Sequence, residues 1–504
     1  MTDDFRAAAN KMLEDSAADP WAWLTPSVYE CARLVSDAPW LGGHAERLRF
    51  LCAGQGADGA WGQDGFAFNG TLSATEALLA VLARNEPADD VVSRDRVREI
   101  ATRGLAVIRD WLAPGGRYAG GAPVTIGVEL IVPMLVDRLN GHLDRAGLPR
   151  LAPPAGCAID RLAQLRQDAE DGKPLPDDLW HAWEIATPAG PPWPAPHPYA
   201  GSVSCSPAGT AGWLREAPAP DSPAGRFLDG LQRDRGGLVP VAAPIDLFEQ
   251  AWMLNTFVWH GVGHDCPEIV LDRMEAELGE YGIAGGKDLT VDGDDTAAVL
   301  NALLCHGREP SLDGLMKYWT GDHFEIYPGE PVSSPATNGH TIGLLGRYVA
   351  ERQEVRERFE PVLRRNVDWL LDQQDDSGSW TDFWHCSPYY ATVCAVEALS
   401  VYGGGRSAEA VRRAVEWTLE TRQESGGWGV RWVTAEETAY ATLILRAGSG
   451  PGIAEAFDAA EPVLRNEVVD ETITPLWLVK DFFSPIRVVR AAVLAARHTI
   501  ARAR

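Results

Sequence analysis

The chain reads as an all-α protein made of two α/α toroids, rings of stacked helical hairpins, and three observations predict this. A turn pattern repeats: Gln55-Gly56-Ala57-Asp58-Gly59-Ala60-Trp61 and Gln374-Asp375-Asp376-Ser377-Gly378-Ser379-Trp380 share Q-x-x-x-G-x-W. Gln423-Glu424-Ser425-Gly426-Gly427-Trp428 repeats it one residue short, and Gln232-Arg233-Asp234-Arg235-Gly236-Gly237-Leu238 repeats it with Leu for Trp. Apolar residues beside these turns recur at helical spacing, whereas period-two alternation is scarce. A helical hairpin buries its apolar face only against neighbours, so the copies stack, and 504 residues suffice for two closed rings.

Each turn closes one helix and opens another. Leu48 and Leu51 precede the first turn, and Trp369 and Leu370 precede the second. The glycine supplies the positive φ of a helix end. The Gln amide suits the backbone ends of neighbouring helices, and the Trp ring covers the junction. Further helices are predicted over 72–82, 248–257, 390–399 and 438–445, with another from Asp295 to Cys305 ended by Gly307 and Pro310. Between 186 and 224 stand Pro188, Pro191, Pro192, Pro194, Pro196, Pro198, Pro207, Pro218, Pro220 and Pro223, too many for continuous helix. They predict long loops and a domain border near 225–230.

With 45% hydrophobic and 23% charged residues the composition is that of a soluble globular protein, apart from a surplus of indoles, 19 Trp in all. A formal charge of -26, from 71 acids and 45 bases, argues against nucleic acid and anionic membranes as partners. An anionic ligand would need local bases or a metal. The eight cysteines are scattered without a CxxC pair, which reads as reduced thiols. Met1 to Arg6 lacks a basic, apolar leader, and no apolar run approaches the ~18 residues of a membrane span. The expectation is a soluble, cytoplasmic protein.

Asp292-Gly293-Asp294-Asp295-Thr296-Ala297 places three carboxylates in four positions, directly before the apolar run Ala298 to Leu304. Crowded carboxylates repel, so at least one is pushed toward its neutral form, and a neutral Asp is a proton donor. The same residues also suit a helix start with Asp295 as N-cap. A calcium loop is excluded, because its sixth position would be Ala297 rather than Gly and its twelfth Leu303 rather than Glu. Helix capping and proton donation are compatible, and both stand at this point.

The tetrad, the Q-x-x-x-G-x-W turns and three further segments resemble the bacterial class II diterpene cyclases, relatives of copalyl diphosphate synthase and, more distantly, of squalene-hopene cyclase. Those segments are Trp384-His385-Cys386-Ser387-Pro388-Tyr389-Tyr390, Thr434-Ala435-Glu436-Glu437-Thr438-Ala439-Tyr440 and Pro475-Leu476-Trp477-Leu478-Val479-Lys480. Similarity runs from Pro26-Ser27-Val28-Tyr29 to the C-terminal helices. The resemblance implies a βγ layout: residues 1–24 plus 229–504 form the tetrad-bearing β toroid, residues 25–228 an inserted γ toroid, and the active site lies between them. It also implies a reaction, in which the terminal alkene of a prenyl diphosphate is protonated and carbocation ring closure follows with the diphosphate retained. Geranylgeranyl diphosphate would give a bicyclic copalyl-type or rearranged product, and farnesyl diphosphate a drimenyl-type one. Trp180 and Trp183 bear on the choice as residues that shorten a pocket, Ala242 and Ala243 as residues that enlarge one.

An alkene is a very weak base, so the donor must be buried, neutral and polarised by neighbours. By correspondence Asp294 is the general acid, Asp292 and Asp295 tune it and restore its proton, and Asn338 in Thr337-Asn338-Gly339-His340 orients that proton. Aromatic faces stabilise the cation, about 0.5–2 kcal/mol each, and Trp252, Trp259, Trp384, Tyr389 and Tyr390 are the expected walls. Plant ent-copalyl diphosphate synthases end the reaction with a His and an Asn that order a water base. His181, in Leu179-Trp180-His181-Ala182-Trp183-Glu184, is the counterpart of that His, but the Asn position falls on Val241, which leaves the ent-copalyl product open. The diphosphate calls for Mg²⁺ and local bases, expected as Lys480 and Arg347. No DDxxD or N-D-x-x-S-x-x-x-E motif is present, so the product would pass to a separate class I terpene synthase. Two rival classes are weaker: a toroidal carbohydrate hydrolase needs two carboxylates across a cleft, and a thioester-type toroid needs a Gly-Cys-Gly-Glu-Gln stretch that is absent.

Overall fold

The protein's structure, a computed structural model, describes every residue except 1, 63–66, 87–91, 123–124, 126, 187–200, 220, 331 and 466–472. Of the prolines expected in a long loop, Pro188, Pro191, Pro192, Pro194, Pro196, Pro198 and Pro220 lie outside the described residues.

Helix α1 (Thr2–Ala18) is followed by α2 (Val28–Asp37), α3 (His44–Ala53), α4 (Phe68–Arg84), α5 (Arg94–Leu112), α6 (Val128–Arg145), α7 (Ile159–Glu170), a 3-10 helix (Asp177–Ala186), α8 (Pro207–Leu214) and α9 (Pro223–Arg233). Contacts run from α2 to α4, to α6, to the 3-10 helix, to α8 and back to α2, closing a ring, while α3, α5, α7 and α9 each pack on a ring member. The second half holds α10 (Asp246–His260), α11 (Glu268–Glu277), α12 (Gly293–Cys305), α13 (Pro335–Glu351), α14 (Arg356–Asp372), α15 (Pro388–Tyr402), α16 (Ala408–Glu420), α17 (Ala435–Leu445), α18 (Pro451–Arg465) and α19 (Ile486–Ala503). Here α10, α12, α13, α15, α17 and α19 close a second ring, clad by α11, α14, α16 and α18, and α1 packs on α10 and α19. A two-stranded hairpin, β1 (Trp477–Leu478) with β2 (Phe482–Phe483), precedes the last helix. The fold is all-α, as the sequence predicts.

One boundary differs from expectation. The cut between 228 and 229 would pass through α9, whose Phe227, Leu228 and Leu231 share a core with Leu34, Leu48 and Trp61 of the first ring. The break between the rings therefore follows Arg233. Among the described residues no helix is long and apolar enough to cross a membrane, and all eight cysteines are free thiols.

Burial explains which helices line the rings. Nearly all of α17 is buried, whereas α14 and α16 carry charged outer faces. Because the chain returns between successive inner helices, through α11, α14, α16 and α18 and, between α12 and α13, through a segment holding the 3-10 helix Leu315–Tyr318, the inner helices of the second ring run parallel and their amino-termini gather at one end. Close approach is secured by a glycine stripe on α13: a Cβ on Gly339 would stand 2.7 Å from the Cys394 carbonyl oxygen, on Gly343 2.8 Å from the Trp259 ring, and on Gly346 2.2 Å from the Tyr402 ring.

The repeated turn has one geometry in three places. The indole N–H of Trp61 donates to Leu51 O at 2.7 Å, that of Trp380 to Leu370 O at 2.8 Å and that of Trp428 to Thr418 O at 2.7 Å. Each Trp amide donates to a threonine hydroxyl on the next helix, Thr71, Thr392 or Thr438, at 3.0, 2.9 and 3.0 Å. Gln55 and Gln374 tie the turn to the following outer helix, donating to Ile100 O at 2.9 Å and to Ala410 O at 2.8 Å. The indole thus donates to a carbonyl in the last turns of a helix, where the regular intrahelical donors run out. In the Leu variant, Gln232 Oε1 instead accepts from Arg47 Nη1 at 2.8 Å. Trp380→Phe removes the donor to Leu370 and leaves a void in a fully buried site, and is expected to lower stability by about 2–4 kcal/mol, read from denaturant unfolding beside the unmutated protein.

Candidate active site

The tetrad opens α12. Asp292, not Asp295, is the N-cap: its Oδ1 accepts the Asp295 amide at 2.7 Å. The residue between the first two acids has to be glycine, because a Cβ on Gly293 would sit 2.4 Å from Glu325 O, and the Gly293 amide donates to Ile326 O at 2.9 Å. Burial first, then the charge of Asp295, raises the Asp292 carboxyl well above the usual carboxylate range. Asp295 is pushed up to about 6, mainly by burial and despite hydrogen bonds from Asp292 and from the Gly285 amide. These two carboxyls therefore share a proton readily around neutral pH.

Asp294 points elsewhere, and its side chain keeps 19% exposure. Its Oδ1 receives the Nδ1 proton of His340 at 2.7 Å, and His340 Nε2 faces Cys394 Sγ at 3.5 Å. Burial alone would discharge His340, but the Asp294 carboxylate, helped by Cys394, overrides it and holds the imidazolium well above the usual imidazole range. The partner of the acid is thus His340, two residues beyond the expected Asn338. The Asn338 side chain is spent on backbone: Oδ1 accepts from the Phe324 amide at 2.9 Å, and Nδ2 donates to Phe324 O at 3.0 Å and Ser334 O at 2.9 Å. It fixes the 324–326 segment that clasps Gly293, so it acts on the tetrad through the backbone. Two helical positions separate Asn338 from His340, enough to turn them to different faces; only a face argument on 337–340 would have chosen the histidine.

An aromatic box adjoins this pair. Trp252 meets His340 edge-on at 5.3 Å and donates its indole N–H to Tyr390 OH at 2.9 Å. Tyr390 packs on Trp477 at 4.6 Å, His385 at 4.8 Å and Tyr440 at 5.5 Å, and Phe248 packs on Trp252 at 4.4 Å. Of the expected walls, the structure brings Trp252 and Tyr390 together with the acid. Trp384 is half-buried beside Phe383 at the same end of the ring, its amide on Asp382 at 2.9 Å. Tyr389 packs 4.7 Å from Trp417 on the outer helix, away from the acid, whereas Trp259, against Tyr402 at 6.2 Å toward the carboxyl ends of the inner helices, borders the same cavity as Trp252, Tyr390 and His340. Phe248, Tyr440, Trp477 and His385 were missed, although all except Phe248 lie in segments that carry the resemblance. A cavity of about 60 Å³ bordered by His340, Cys394, Tyr390 and Glu397 lies behind the acid.

Of the two expected phosphate bases, Lys480 is fully engaged and Arg347 lies away from the acid. Lys480 is fully buried and ion-paired to Glu30 at 2.5 Å and Glu184 at 3.1 Å, with Ser206 Oγ at 2.8 Å and His181 O at 3.0 Å. It joins the C-terminal hairpin to the first ring. Arg347 pairs with Glu351 at 4.0 Å, about 10 Å along α13 from His340 by helical rise. His181 donates Nδ1–H to Ser204 O at 2.8 Å, and its buried Nε2 has no partner among the described residues. Burial, then the Lys480 ammonium, pushes its pKa down to about 3. The neighbouring Ala243 amide donates to Cys205 O at 3.0 Å, so His181 and the Val241–Ala243 segment hang from one corner, where Val241 is wholly buried apolar core. Trp180 and Trp183 belong to the first ring's core.

The arrangement sets the His340 N–H against one oxygen of Asp294, a hydrogen bond that withdraws density from the carboxyl and makes a proton carried on the other oxygen easier to donate. The elevation of His340 depends on the negative charge of Asp294. In Asp294→Asn the imidazole should therefore titrate at lower pH than in the unmutated protein, as followed by NMR of ring-labelled histidine; an unchanged titration refutes the pairing. Because the Asp295 carboxyl is raised from the ordinary carboxylate range to about 6, the folded chain binds a proton that the unfolded chain releases, so stability is lost as pH rises from the ordinary carboxylate range to about 6 and is level above. Asp295→Asn should accordingly raise the thermal midpoint more at pH 8 than at pH 4.5, as compared by scanning fluorimetry; an equal shift at the two pH values refutes the raised carboxyl.

A family model described as the squalene-hopene cyclase C-terminal domain matches residues 332–451. The chain is 36% identical to the ent-copalyl diphosphate synthase of Streptomyces sp. strain KO-3988, over 97% of this chain and 95% of the relative. It is 34% identical to the labda-7,13-dienyl diphosphate synthase of Streptomyces clavuligerus, over 98% and 93% of the two chains. The solved structure of ent-copalyl diphosphate synthase from Streptomyces platensis superposes with a TM-score of 0.93 at 39% identity, covering 99% of this chain and all of that one. The chain belongs to the bacterial class II diterpene cyclases of the copalyl diphosphate synthase type.

Proposed function

We propose that the chain cyclises geranylgeranyl diphosphate to a bicyclic, labdane-type diphosphate by protonating the terminal alkene and leaving the diphosphate intact. The observation that carries this reading is the Asp294–His340 pair at 2.7 Å beside a box of aromatic rings. Such a site suits a proton donor facing a hydrocarbon, and its rings suit a cation with no better partner. Asp294 passes its proton to the alkene carbon; the cation at the neighbouring carbon is captured by successive alkenes, closing two rings; and a C–H proton leaves at the end. Atoms balance as an isomerisation. Asp292 and Asp295, whose carboxyls exchange protons near neutrality, tune Asp294 and return its proton.

For the last step the candidate is His181. Its Nδ1–H is committed to Ser204 O, so Nε2 carries the lone pair. A pKa of about 3 makes a weak base, yet a carbocation's neighbouring C–H is far more acidic, and a weak base releases the proton readily afterwards. With Val241 at the position that corresponds to the plant enzymes' Asn, the Val241–Ala243 segment offers no second polar side chain to order a water. The relatives carry different product names, ent-copalyl and labda-7,13-dienyl, in keeping with an ending that varies while the start is shared.

Among the described residues no cluster of three or more Asp, Glu, His or Cys is arranged to hold a metal. Mg²⁺ would be carried chiefly by the substrate's phosphate oxygens, with at most one or two carboxylates from the chain, and when bound it neutralises diphosphate charge. The product, an intact allylic diphosphate, is a substrate for a separate ionising, class I enzyme.

Purified protein incubated with geranylgeranyl or farnesyl diphosphate and Mg²⁺, then dephosphorylated, should yield a cyclic C20 alcohol by mass spectrometry. Asp294→Ala should yield none. Linear alcohols from both substrates would sink the cyclase reading, and a cyclic C15 alcohol alone would shift it to the drimenyl reaction. His181→Ala should still consume substrate but give a changed mixture of double-bond isomers or hydroxylated products; an unchanged product profile excludes His181 as the terminal base.

A further inference from the structure

Behind the aromatic box lies a carboxylate that none of these steps uses. Glu436, in the first turn of α17, is 2% exposed. Its Oε1 receives the Trp477 indole N–H at 2.7 Å, the Tyr440 hydroxyl at 3.1 Å and faces His385 Nε2 at 3.2 Å. Its Oε2 is buried and has no hydrogen-bond partner among the described residues. Among the described residues its ion-pair contact is with the His385 imidazole, and no Lys or Arg pairs with it. The adjacent Glu437 is the contrast: it accepts from Ser387, Val430 and Thr434 and is a conventional helix-end staple. A half-satisfied buried carboxylate is costly, and its placement is specific. All three residues on Oε1 are aromatic, and Tyr390 packs on every one of them. Tyr390 in turn accepts from Trp252, which abuts His340 and thereby Asp294.

We propose that Glu436 is a positioning residue for the cyclisation, its negative charge acting through Trp477, Tyr440 and His385 to stabilise the carbocation at the aromatic box. A ring whose N–H or O–H is held by a carboxylate gains electron density, so its face attracts a cation more strongly. The same three bonds lock the rings in place, so no reorganisation is needed when charge develops. This inference rests on the cyclase reading above.

Glu436→Gln separates charge from geometry, because the Gln carbonyl oxygen still accepts the three bonds. The expected result is a kcat lowered about 10- to 100-fold, with KM for geranylgeranyl diphosphate and the thermal midpoint little changed. Glu436→Asp, which keeps the charge on a shorter arm, should retain more of kcat than Glu436→Gln. Undiminished kcat in Glu436→Gln, the reverse order of the two variants, or a kcat loss matched by a collapse of the thermal midpoint overturns the proposal. If Glu436→Gln does not accumulate as folded protein, Asp294→Asn protein is titrated with a prenyl diphosphate bearing a tertiary ammonium at the cation position and with its uncharged isostere. A preference of about tenfold or more for the ammonium supports the proposal, and equal affinities overturn it. Failure of the unmutated protein to form any cyclic product overturns the cyclase reading, and this inference with it, whereas normal cyclisation by Glu436→Gln overturns this inference alone.

Discussion

The second ring is governed by one constraint: its six inner helices, α10, α12, α13, α15, α17 and α19, run parallel, because the chain is carried back between each pair, by an outer helix in four cases and, between α12 and α13, by a segment holding the 3-10 helix Leu315–Tyr318. Parallel packing puts every amino-terminus at the same end. Residues far apart in sequence then meet near the amino-termini of neighbouring helices, Asp294 with His340, Ser387 with Glu437, His385 with Glu436 and Arg487 with Glu249. Helix amino-termini favour carboxylates through their unpaired N–H groups and dipoles. A ring that gathers six of them can keep buried acids at one end at modest cost. The indole-to-carbonyl bonds of Trp380 and Trp428 serve this arrangement, since each closes the junction through which one inner helix hands over to the next.

The junction between the rings follows a different logic. Lys480, from the C-terminal hairpin, is fully buried with Glu30 and Glu184 of the first ring, and Tyr29 OH donates to Glu184 at 2.7 Å. Asp481 accepts from Ser27 Oγ at 3.0 Å and from the Tyr29 amide at 2.8 Å, so an acid from the second half of the chain caps a helix of the first. Buried charges of this kind add little net stability but tolerate few alternative geometries. They fix how the two rings meet. Lys480 therefore sets the position of His181, whose carbonyl it holds, and has no N–H left for a phosphate.

How much of this was legible in the sequence follows from the range of each interaction. The Q-x-x-x-G-x-W turns are local, so their spacing revealed the hairpins, and the all-α rings followed. The tetrad is local too, and its three acids announced mutual repulsion, although which of them caps α12 depended on backbone dihedrals that the letters do not carry. Asn338 and His340 stand two apart in one quoted segment, and only the phase of α13 against α12 decides which one meets Asp294. Lys480 reads as a phosphate base because it stands in the family-like segment Pro475–Lys480 of an acidic chain. Its two glutamates lie some 300 and 450 residues earlier in the sequence, beyond what any local pattern reports. Tyr389 and Tyr390 are neighbours with opposite fates for the same reason as Asn338 and His340: adjacent helical positions point about 100° apart.

Two histidines illustrate how the same side chain can be set to opposite tasks. His340 lies beside a carboxylate, and the attraction outweighs burial, so the ring keeps both protons. His181 lies beside an ammonium, which adds to burial, so the ring keeps one. In each case the Nδ1 proton is committed, to Asp294 Oδ1 in the first and to Ser204 O in the second, which leaves Nε2 as the atom that differs. On His340 it is a donor facing Cys394; on His181 it is an unpartnered lone pair. Groups whose surroundings drive their proton affinities apart are how one site can hold an acid and a base at a single pH. In the proposed cyclisation the charged histidine backs the start and the neutral one receives the end, and because His181 is held by the inter-ring lysine, the geometry of the ending depends on how the two rings dock.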